Sequence, residues 1–440
     1  MDLRDHARQA RRAARQLALT SAARRNAGLE AIALALEARR EEIQGANRQD
    51  LEAAKGMVAR GELAQPLVKR LDLGGSKFGA VVEMVQSVRA QADPLGRTLA
   101  ATELAQGLRL FRVSVPIGVL GVIFESRPDA LVQIASLCLK AGDAVLLKGG
   151  REAERTNQVL YEVIKRATEE AGLPQGWIWL LETREEVREL LALDEYLDLI
   201  IPRGSNEFVR YIMENTRIPV TGHADGVCHV YVDRAADLDK ALRVTVDAKT
   251  QYAAVCNAAE TLLVHRQIAP QFLARAVPAL KEKKVELRGD AAAAALVPGA
   301  FVMATEADWG AEYLDYVLAV KVVDSLEEAV EHINRYGSHH TDTILTEDAQ
   351  AAGLFLGAVD SASVIHNAST RFADGFRYGL GAEVGISTGR LHSRGPVGLE
   401  GLTSYKYILE GDGHTVDDFE GAVKRPFTHR PLKQDWRPAE

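Results

Sequence analysis

Three cysteines, Cys138, Cys228 and Cys256, are the first candidates for a nucleophile in this 440-residue chain. Cys138 falls on the apolar face of a predicted helix and Cys228 in an apolar predicted strand, where small buried thiols are common. Cys256 follows a predicted helix and precedes a predicted strand, within a run of small residues that would let a substrate approach. The N–H of the neighbouring Asn257 could stabilise an oxyanion. From these residues alone, a catalytic and a buried Cys256 are about equally supported.

The elements that must position this cysteine form two successive patterns. Apolar residues at three-to-four spacing predict helices over the first 92 residues or so, and polar–apolar alternation around Gly107 predicts a β-hairpin. Apolar strands then alternate with amphipathic helices, which predicts parallel sheets covered by helices in two doubly wound α/β domains. The predicted strands before residue 230 are Val119–Phe124, Ala144–Leu147, Trp177–Leu181 and Leu197–Ile201.

The second pattern surrounds Cys256. A helix is predicted over Leu238–Thr250, a strand over Thr261–Val264, a helix near Gln271 and a terminal strand over Leu402–Leu409. The polar residues from Gly411 to the end predict a mobile or surface-draped tail.

Composition and charge exclude several classes of protein. The net charge of −8 and the pI near 5.9 argue against nucleic acid or an anionic membrane as the main partner. No apolar run is long enough for a membrane helix, and three cysteines argue against a disulfide framework, which fits a cytoplasmic protein. Residues 1–25 predict an amphipathic helix, with a cleavable presequence as the alternative. No metal site is predicted, because the adjacent His339 and His340 lack ligand partners at suitable spacing.

Several segments, taken in order from about residue 27 to 411, carry a resemblance to a known family. The chain is similar to the aldehyde dehydrogenase superfamily and, within it, to the family of gamma-glutamyl phosphate reductases of proline biosynthesis. Six of these segments are VPIGVLGVIFESRPDA (115–130), AVLLKGGREA (144–153), LIIPRGSNEF (199–208), VCNAAETLLVH (255–265), WGAEYLDYVLAVK (309–321) and NASTRFADGF (367–376).

The resemblance implies an aldehyde-dehydrogenase-like α/β fold with a small β oligomerisation element. The domain ranges that it implies are 1–98 with 117–236 for NADPH binding, 237–384 for the catalytic cysteine domain, 99–116 with 385–411 for oligomerisation, and 412–440 for the tail. It also implies a homodimer or homotetramer and a possible channelling contact with glutamate 5-kinase.

The same resemblance implies an NADPH-dependent reduction of L-glutamyl 5-phosphate to L-glutamate 5-semialdehyde, with release of phosphate. Lys148 would hold the adenosine ribose and 2′-phosphate of the cofactor, and Arg151 would add positive charge there. Gly204 and Ser205 would open the helix near the pyrophosphate, and Glu312 would bind the nicotinamide ribose.

For the chemistry, the resemblance implies that Cys256 is the catalytic thiol, with Asn257 beside it. Ser126 occupies the place of an oxyanion-hole asparagine in many aldehyde dehydrogenases. The water-activating glutamate of aldehyde-oxidising relatives is absent, because the matching stretch, 222–226, reads GHADG. An acyl phosphate reductase needs no such water, since phosphate leaves when the thioester forms.

The substrate carries a carboxylate and a phosphate, so cations and directional donors are expected around it. The candidates are Arg127 and Arg371, each of which has a structural ion pair as its alternative interpretation. His340 is a candidate donor to phosphate or only a satisfied loop histidine. Asn367 is a candidate carboxylate ligand or only a strand cap.

Departures from the family pattern and two other functional classes leave alternatives open. Asp247 and the stretch 252–254 replace residues common in the family, which weakens the predicted oxyanion contact from the cysteine loop. Ser205 replaces a glycine that often follows the IPRG arginine, which is a mild change. The nearest alternative is another thiol-dependent semialdehyde or acyl reductase of the superfamily, such as a CoA-acylating one. The other is a non-catalytic scaffold that retains the fold.

Overall fold

The computed structural model describes residues 2–63, 65–204, 206–222, 225–420 and 424–437. Ser205, one of the predicted cofactor ligands, therefore lies outside the described residues.

A helical layer forms the N-terminal part, as predicted. Its helices are α1 (Leu3–Leu17), α2 (Ala22–Ala38), α3 (Arg40–Ala59), α4 (Gln65–Leu71) and α5 (Ser76–Ala90). Helix α1 buries Leu3, Ala7, Ala10 and Leu17, which share one face because they recur every three to seven residues. This confirms the predicted amphipathic helix at the N-terminus.

A β-hairpin follows, built from β1 (Thr98–Ala105) and β2 (Leu108–Pro116). Gly107 lies in its turn with φ of 79°, a conformation that glycine adopts at little cost. The predicted hairpin and turn are confirmed.

The first parallel sheet has the strand order β5-β4-β3-β6. Its strands and helices are β3 (Val119–Phe124), α6 (Pro128–Ala141), β4 (Ala144–Lys148), α7 (Glu154–Glu170), β5 (Ile178–Leu181), α8 (Arg184–Leu190), β6 (Leu199–Arg203) and α9 (Asn206–Glu214). The strands are almost wholly buried, because helices cover a sheet whose strands are apolar on both faces. All four predicted strands are confirmed to within two residues of their bounds.

The second parallel sheet has seven strands in the order β10-β9-β11-β8-β7-β12-β13. Its elements are β7 (Cys228–Val232), α10 (Leu238–Thr250), β8 (Ala259–His265), α11 (Ala269–Glu282), β9 (Glu286–Gly289), α12 (Ala291–Leu296), β10 (Val302–Met303), β11 (Val317–Val323), α13 (Leu326–Tyr336), β12 (Thr341–Leu345), α14 (Ala349–Ala358) and β13 (Ser363–His366). The predicted helix over 238–250 is confirmed at both ends.

The remaining strands are β14 (Ile386–Ser387), β15 (Gly395–Pro396), β16 (Thr403–Glu410) and β17 (Arg430–Pro431), with a short helix α15 (Asp417–Glu420). Strands β16, β2, β1 and β17 form an antiparallel sheet in that order. The C-terminal segment thus lies on the surface: β17 pairs with β1, and Phe419 is buried near Ala105 and Leu108.

Two strands pair outside the sheet that their predicted domain range implies. Strand β7 lies in the range 117–236 but pairs in the second sheet, and β17 lies in the range 412–440 but pairs with β1. The domain boundaries stay a prediction. Within the described part of the chain, no helix is both long and apolar enough to cross a membrane.

Candidate active site

Cys256 lies between the end of α10 and the start of β8, at the amino-terminal edge of the second sheet. Of the three cysteines it alone is partly exposed, whereas Cys138 and Cys228 are buried. Burial raises the pKa of the Cys138 and Cys228 thiols well above its ordinary value, so both stay protonated at neutral pH. The structure therefore leaves Cys256 as the cysteine that a substrate can reach.

Contacts from distant parts of the chain hold the Cys256 loop in place. The Cys228 thiol donates to the Cys256 carbonyl oxygen (3.1 Å), and the guanidinium of Arg70 in α4 donates to the carbonyl of Ala254. The Asn257 amide nitrogen donates to the carbonyl of Ala373 (2.8 Å). Because these contacts fix the backbone on both sides of the sulfur, the nucleophile is held before substrate arrives.

Gly226 packs against the backbone and the Cβ atom of Cys256. A Cβ atom at position 226 would lie 2.4 Å from the Cys256 carbonyl oxygen and 2.6 Å from its Cα and Cβ atoms. No side chain fits there unless the cysteine backbone moves.

Asn257 and Ser126 were both predicted to assist the thiol. The Asn257 side chain is buried and used for the contact with Ala373, so a catalytic role would fall to its backbone N–H. The hydroxyl and the N–H of Ser126 both donate to Glu152 Oε1, at 3.0 and 2.5 Å. Ser126 is thus directed toward Glu152, and its predicted oxyanion role stays a prediction.

Two arginines, the predicted Arg371 and the unpredicted Arg203, lie within electrostatic reach of the thiol. Each has a further arginine near it, Arg377 beside Arg371 and the predicted Arg127 near Arg203. Arg127 pairs with Asp129 (3.2 Å), whose charge raises the pKa of the guanidinium. Arg371 is buried and donates to Gln251 (2.9 Å).

Burial is the main cause that lowers the pKa of Arg371, and the charge of Arg377 lowers it further. Burial also lowers the pKa of Arg203, and there the second cause is the charge of Arg127. Both guanidiniums lie within electrostatic reach of Cys256. A group of positive charges gathered around a nucleophile suits an anionic substrate.

The structure does not bring His340 and Asn367 to the site in the predicted way. His340 is 1% exposed and lies behind Cys228, with its Nδ1 2.8 Å from Thr341 Oγ1. Asn367 follows β13 at the carboxyl edge of the second sheet, about 16 Å from the Cys256 edge, since the five-residue β12 spans that distance. Its amide bonds both backbone groups of Thr346, as a strand cap does.

A cavity of about 630 Å³ opens at the carboxyl ends of β4 and β5, where ligands bind in open α/β sheets. Lys148, Arg151 and Arg155 supply three cations to its lining, and Gly149 and Gly150 form part of its wall. Two of the predicted cofactor ligands, Lys148 and Arg151, therefore lie in one cavity. It is large enough for part of a dinucleotide.

Glu312, another of the cofactor candidates, contacts the start of α9, which begins two residues after the candidate Gly204. Asn206 Nδ2 donates to Glu312 Oε2 (2.9 Å) and to Asp225 Oδ1 (2.7 Å). Arg210 forms an ion pair with the same Asp225, so this carboxylate is held by α9.

A buried ion pair that was not predicted links the cysteine loop to the Glu312 segment. Lys249 and Glu260 are both fully buried, with 2.6 Å between Nζ and Oε2, and Glu260 Oε1 accepts from the N–H of Leu314. Burial raises the pKa of Glu260 to about 7 despite the lysine, and burial lowers the pKa of Lys249. The pair joins α10, β8 and the segment of Glu312.

Comparisons with known proteins agree with this geometry. The model of the aldehyde dehydrogenase family matches residues 1–316. Gamma-glutamyl phosphate reductase of Natronomonas pharaonis is 56% identical over 98% of each chain, and that of Acetivibrio thermocellus is 54% identical over 99% of this chain and all of its own. The crystal structure of gamma-glutamyl phosphate reductase from Thermotoga maritima superposes with a TM-score of 0.90 at 41% identity, covering 94% of this chain and all of that one.

The two parallel sheets with a cysteine at the edge of the second define an oxidoreductase of the aldehyde dehydrogenase family. Within that family, this chain belongs to the gamma-glutamyl phosphate reductases of proline biosynthesis. The predicted family and fold class are confirmed. Membership implies a nicotinamide cofactor.

Proposed function

We propose that this chain reduces L-glutamyl 5-phosphate to L-glutamate 5-semialdehyde with NADPH, through a thioester on Cys256. The observation that carries this proposal is the partly exposed Cys256, which contacts Gly226 and Cys228 and lies within electrostatic reach of the buried Arg371. The names of relatives more than half identical over nearly the whole chain support the same reaction.

The chain's own residues account for the acyl transfer. The Cys256 sulfur attacks the acyl carbon, a carbon–sulfur bond forms, and the carbon–oxygen bond to phosphate breaks. Arg371 stabilises the leaving phosphate as its charge develops. When bound, the cofactor supplies a hydride to the acyl carbon. The thiohemiacetal then collapses to the aldehyde and returns the thiolate of Cys256.

The absence of a water-activating carboxylate supports reduction rather than hydrolysis. The stretch 222–226 contains no glutamate, and its one carboxylate, that of Asp225, is bound by Asn206 and Arg210. An activated water would hydrolyse the thioester and waste the intermediate.

The cations that line the cavity at the carboxyl ends of β4 and β5, Lys148, Arg151 and Arg155, support a cofactor that bears a 2′-phosphate, although Glu42, Glu154 and Glu182 line the same cavity. We propose NADPH for this reason. Gly204 and its neighbour in sequence, Ser205, are proposed to contact the pyrophosphate. Glu312 is proposed to contact the nicotinamide ribose.

The assembly and location of the enzyme are also proposals. Strand β16 forms one edge of the antiparallel sheet and exposes Tyr405, Tyr407 and Leu409, which supports pairing with a second copy in a homodimer or homotetramer. We propose a cytoplasmic enzyme that receives its unstable acyl phosphate from glutamate 5-kinase.

The decisive assay is NADP-dependent oxidation of glutamate 5-semialdehyde with and without inorganic phosphate. The proposal requires phosphate as the incoming group, so activity should depend on phosphate and should not be supported by CoA. Activity with CoA instead would establish a CoA-acylating enzyme, and no activity with either would support the scaffold alternative.

A further inference from the structure

The substrate proposed above carries charge at both ends, and this inference rests on that proposed function. The phosphate is bonded to the carbon that Cys256 attacks. The α-carboxylate and α-ammonium lie at the other end of a chain of four carbon–carbon bonds, about 5 Å away. A receptor for this second end needs a cation and a carboxylate side by side, because the group is a zwitterion.

Arg203 supplies a cation in a suitable place. It ends β6, and the methylene groups of its side chain pack against Gly385, where a Cβ atom would lie 3.8 and 3.9 Å from them. Its Nη1 is buried and has no hydrogen-bond partner among the described residues. A buried guanidinium N–H without a partner is costly, so a ligand that accepts from it gains the full strength of that bond.

Glu383 supplies the carboxylate beside it. Its Oε2 accepts from the N–H of Gly375 (2.8 Å), and a side chain at position 375 would collide with the Glu383 Cβ at 2.8 Å. The carboxylate is therefore fixed by its backbone neighbours. Burial raises the pKa of Glu383, whereas the nearby charge of Arg203 lowers it, so a bound cation would favour the ionised form.

Arg127 and Asp129 extend the same group from the start of α6. They pair with one another at 3.2 Å, and Arg127 lies within electrostatic reach of both Arg203 and Glu383. These four residues, Arg127, Asp129, Arg203 and Glu383, form an arginine–carboxylate cluster with two charges of each sign. A cluster without net charge suits a zwitterion better than a dianionic phosphate.

The cations proposed for the phosphate end of the substrate lie on a different element. Arg371 is fixed by Gln251, five positions before Cys256, and by the 370–372 turn of the second-sheet domain. Arg377 donates to the carbonyl of Arg371 and adds a further positive charge. Two groups of cations thus approach the thiol from the two sheets, as a substrate charged at both ends requires.

We propose that Arg203 and Glu383 bind the α-carboxylate and the α-ammonium of the substrate, and that they determine its specificity for an α-amino acid.

Three aldehydes of equal chain length separate the contribution of the α-carboxylate from that of the α-ammonium in the phosphate-dependent oxidation. Glutamate 5-semialdehyde carries both charged groups, 5-oxopentanoate carries only the carboxylate, and pentanal carries neither. Arg203→Gln should lower kcat/KM about tenfold or more for the first two and leave pentanal nearly unchanged. Glu383→Gln should lower kcat/KM by a similar factor for glutamate 5-semialdehyde alone. Equal losses on all three aldehydes would overturn the proposal.

Matched variants distinguish a missing contact from a damaged fold. Arg217→Gln and Glu214→Gln remove the same charges from exposed positions at the end of α9 and just after it, and should leave all three rates unchanged. Arg203→Lys should restore part of the preference for the carboxylate. If Arg203→Gln fails to bind NADPH, then Arg203→Lys and Glu383→Gln carry the test, and an unchanged aldehyde preference in both would refute the proposal.

The wild-type enzyme separates this inference from the function on which it rests. A wild-type protein with no phosphate-dependent activity on any aldehyde would contradict the proposed function. A phosphate-dependent wild type that oxidises pentanal as well as glutamate 5-semialdehyde would contradict only the inference.

Discussion

Gly226 shows how narrowly the position of the nucleophile is determined at the scale of single residues. A methyl group there would overlap the backbone of Cys256, which is itself bound through its carbonyl. We predict that Gly226→Ala lowers kcat about 100-fold with little change in NADPH binding, because a shift of about 1 Å in a reacting atom has effects of that size. Single-turnover kinetics and fluorescence titration with NADPH measure the two quantities.

Gly222→Ala is the control for that variant, since a Cβ atom at 222 meets its nearest neighbours at an ordinary 3.5 Å. Equal losses in the two variants would show that the whole segment, and not the contact with Cys256, is sensitive.

Lys148 tests the cofactor assignment at the same scale. Lys148→Ala should raise KM for NADPH more than KM for the acyl phosphate, because its ammonium lies in the proposed cofactor cavity. The control Lys55→Ala, at an exposed position of α3, should change neither constant. Equal increases in both constants in Lys148→Ala would count against the assignment.

The sequence indicated some of these residues and not others. Cys256 was distinguished by its run of small neighbours, and Lys148 and Glu312 by their resemblance to family motifs. Arg203 lay within a recognised segment but was taken only as part of a turn, since nothing in the local sequence shows that its guanidinium comes within electrostatic reach of the thiol. Arg70 carried no signal, because the carbonyl it binds is 184 residues away.

At the scale of elements, the buried Lys249–Glu260 pair joins α10 to β8 and to the segment of Glu312. Removing one partner should cost about 3 to 5 kcal/mol of unfolding free energy, because it leaves a buried charge without compensation. We predict that Lys249→Met and Glu260→Gln each destabilise the protein by this amount in urea unfolding.

The double variant should recover most of that loss, since it contains neither charge. Additive losses in the double variant would contradict the account of a coupled pair.

Asp308 fixes the turn just before Glu312 and gives a pH-dependent prediction. Burial alone would raise the pKa of Asp308, but hydrogen bonds from Arg288, Thr305 and Tyr313 outweigh burial and hold the pKa well below its ordinary value. A depressed pKa adds stability above the unfolded value, near 4, and that stability is lost as pH falls below it.

The stability difference between wild type and Asp308→Asn should therefore shrink as pH falls from about 7 to about 3. Urea unfolding at several pH values measures it. A difference that does not depend on pH would contradict this interpretation.

Element bounds were predicted well where the pattern is long and regular. The helix Leu238–Thr250 and the strand Val119–Phe124 were placed correctly because periodicity and turn residues mark both of their ends. Strands β9 to β13 were not placed individually. They are two to seven residues long, and their pairing joins segments far apart in the chain, which local sequence does not encode.

At the scale of the whole molecule, the C-terminal segment covers an edge of the antiparallel sheet. Thr428 and Leu432 donate their N–H groups to Leu104 and Ala101, and Trp436 packs near Phe111. We predict that deletion of residues 412–440 lowers the thermal stability and promotes aggregation, because it exposes a strand edge and apolar side chains.

Turnover per active molecule should remain near the wild-type value, since these contacts lie on the antiparallel sheet and not at Cys256. Titration of the reactive thiol gives the number of active molecules. A loss of turnover per titrated thiol would show that the segment supports catalysis.

Acylation of Cys256 is most directly observed by mass spectrometry. The enzyme is mixed with NADP and glutamate 5-semialdehyde in phosphate-free buffer and quenched in acid, which keeps the α-amine protonated and prevents it from attacking the thioester. The peptide that contains Cys256 should gain the mass of one glutamyl group, and the gain should disappear when phosphate is added before the quench. An unmodified Cys256 in an enzyme that turns over, or an acyl group on another residue, would contradict the thioester mechanism.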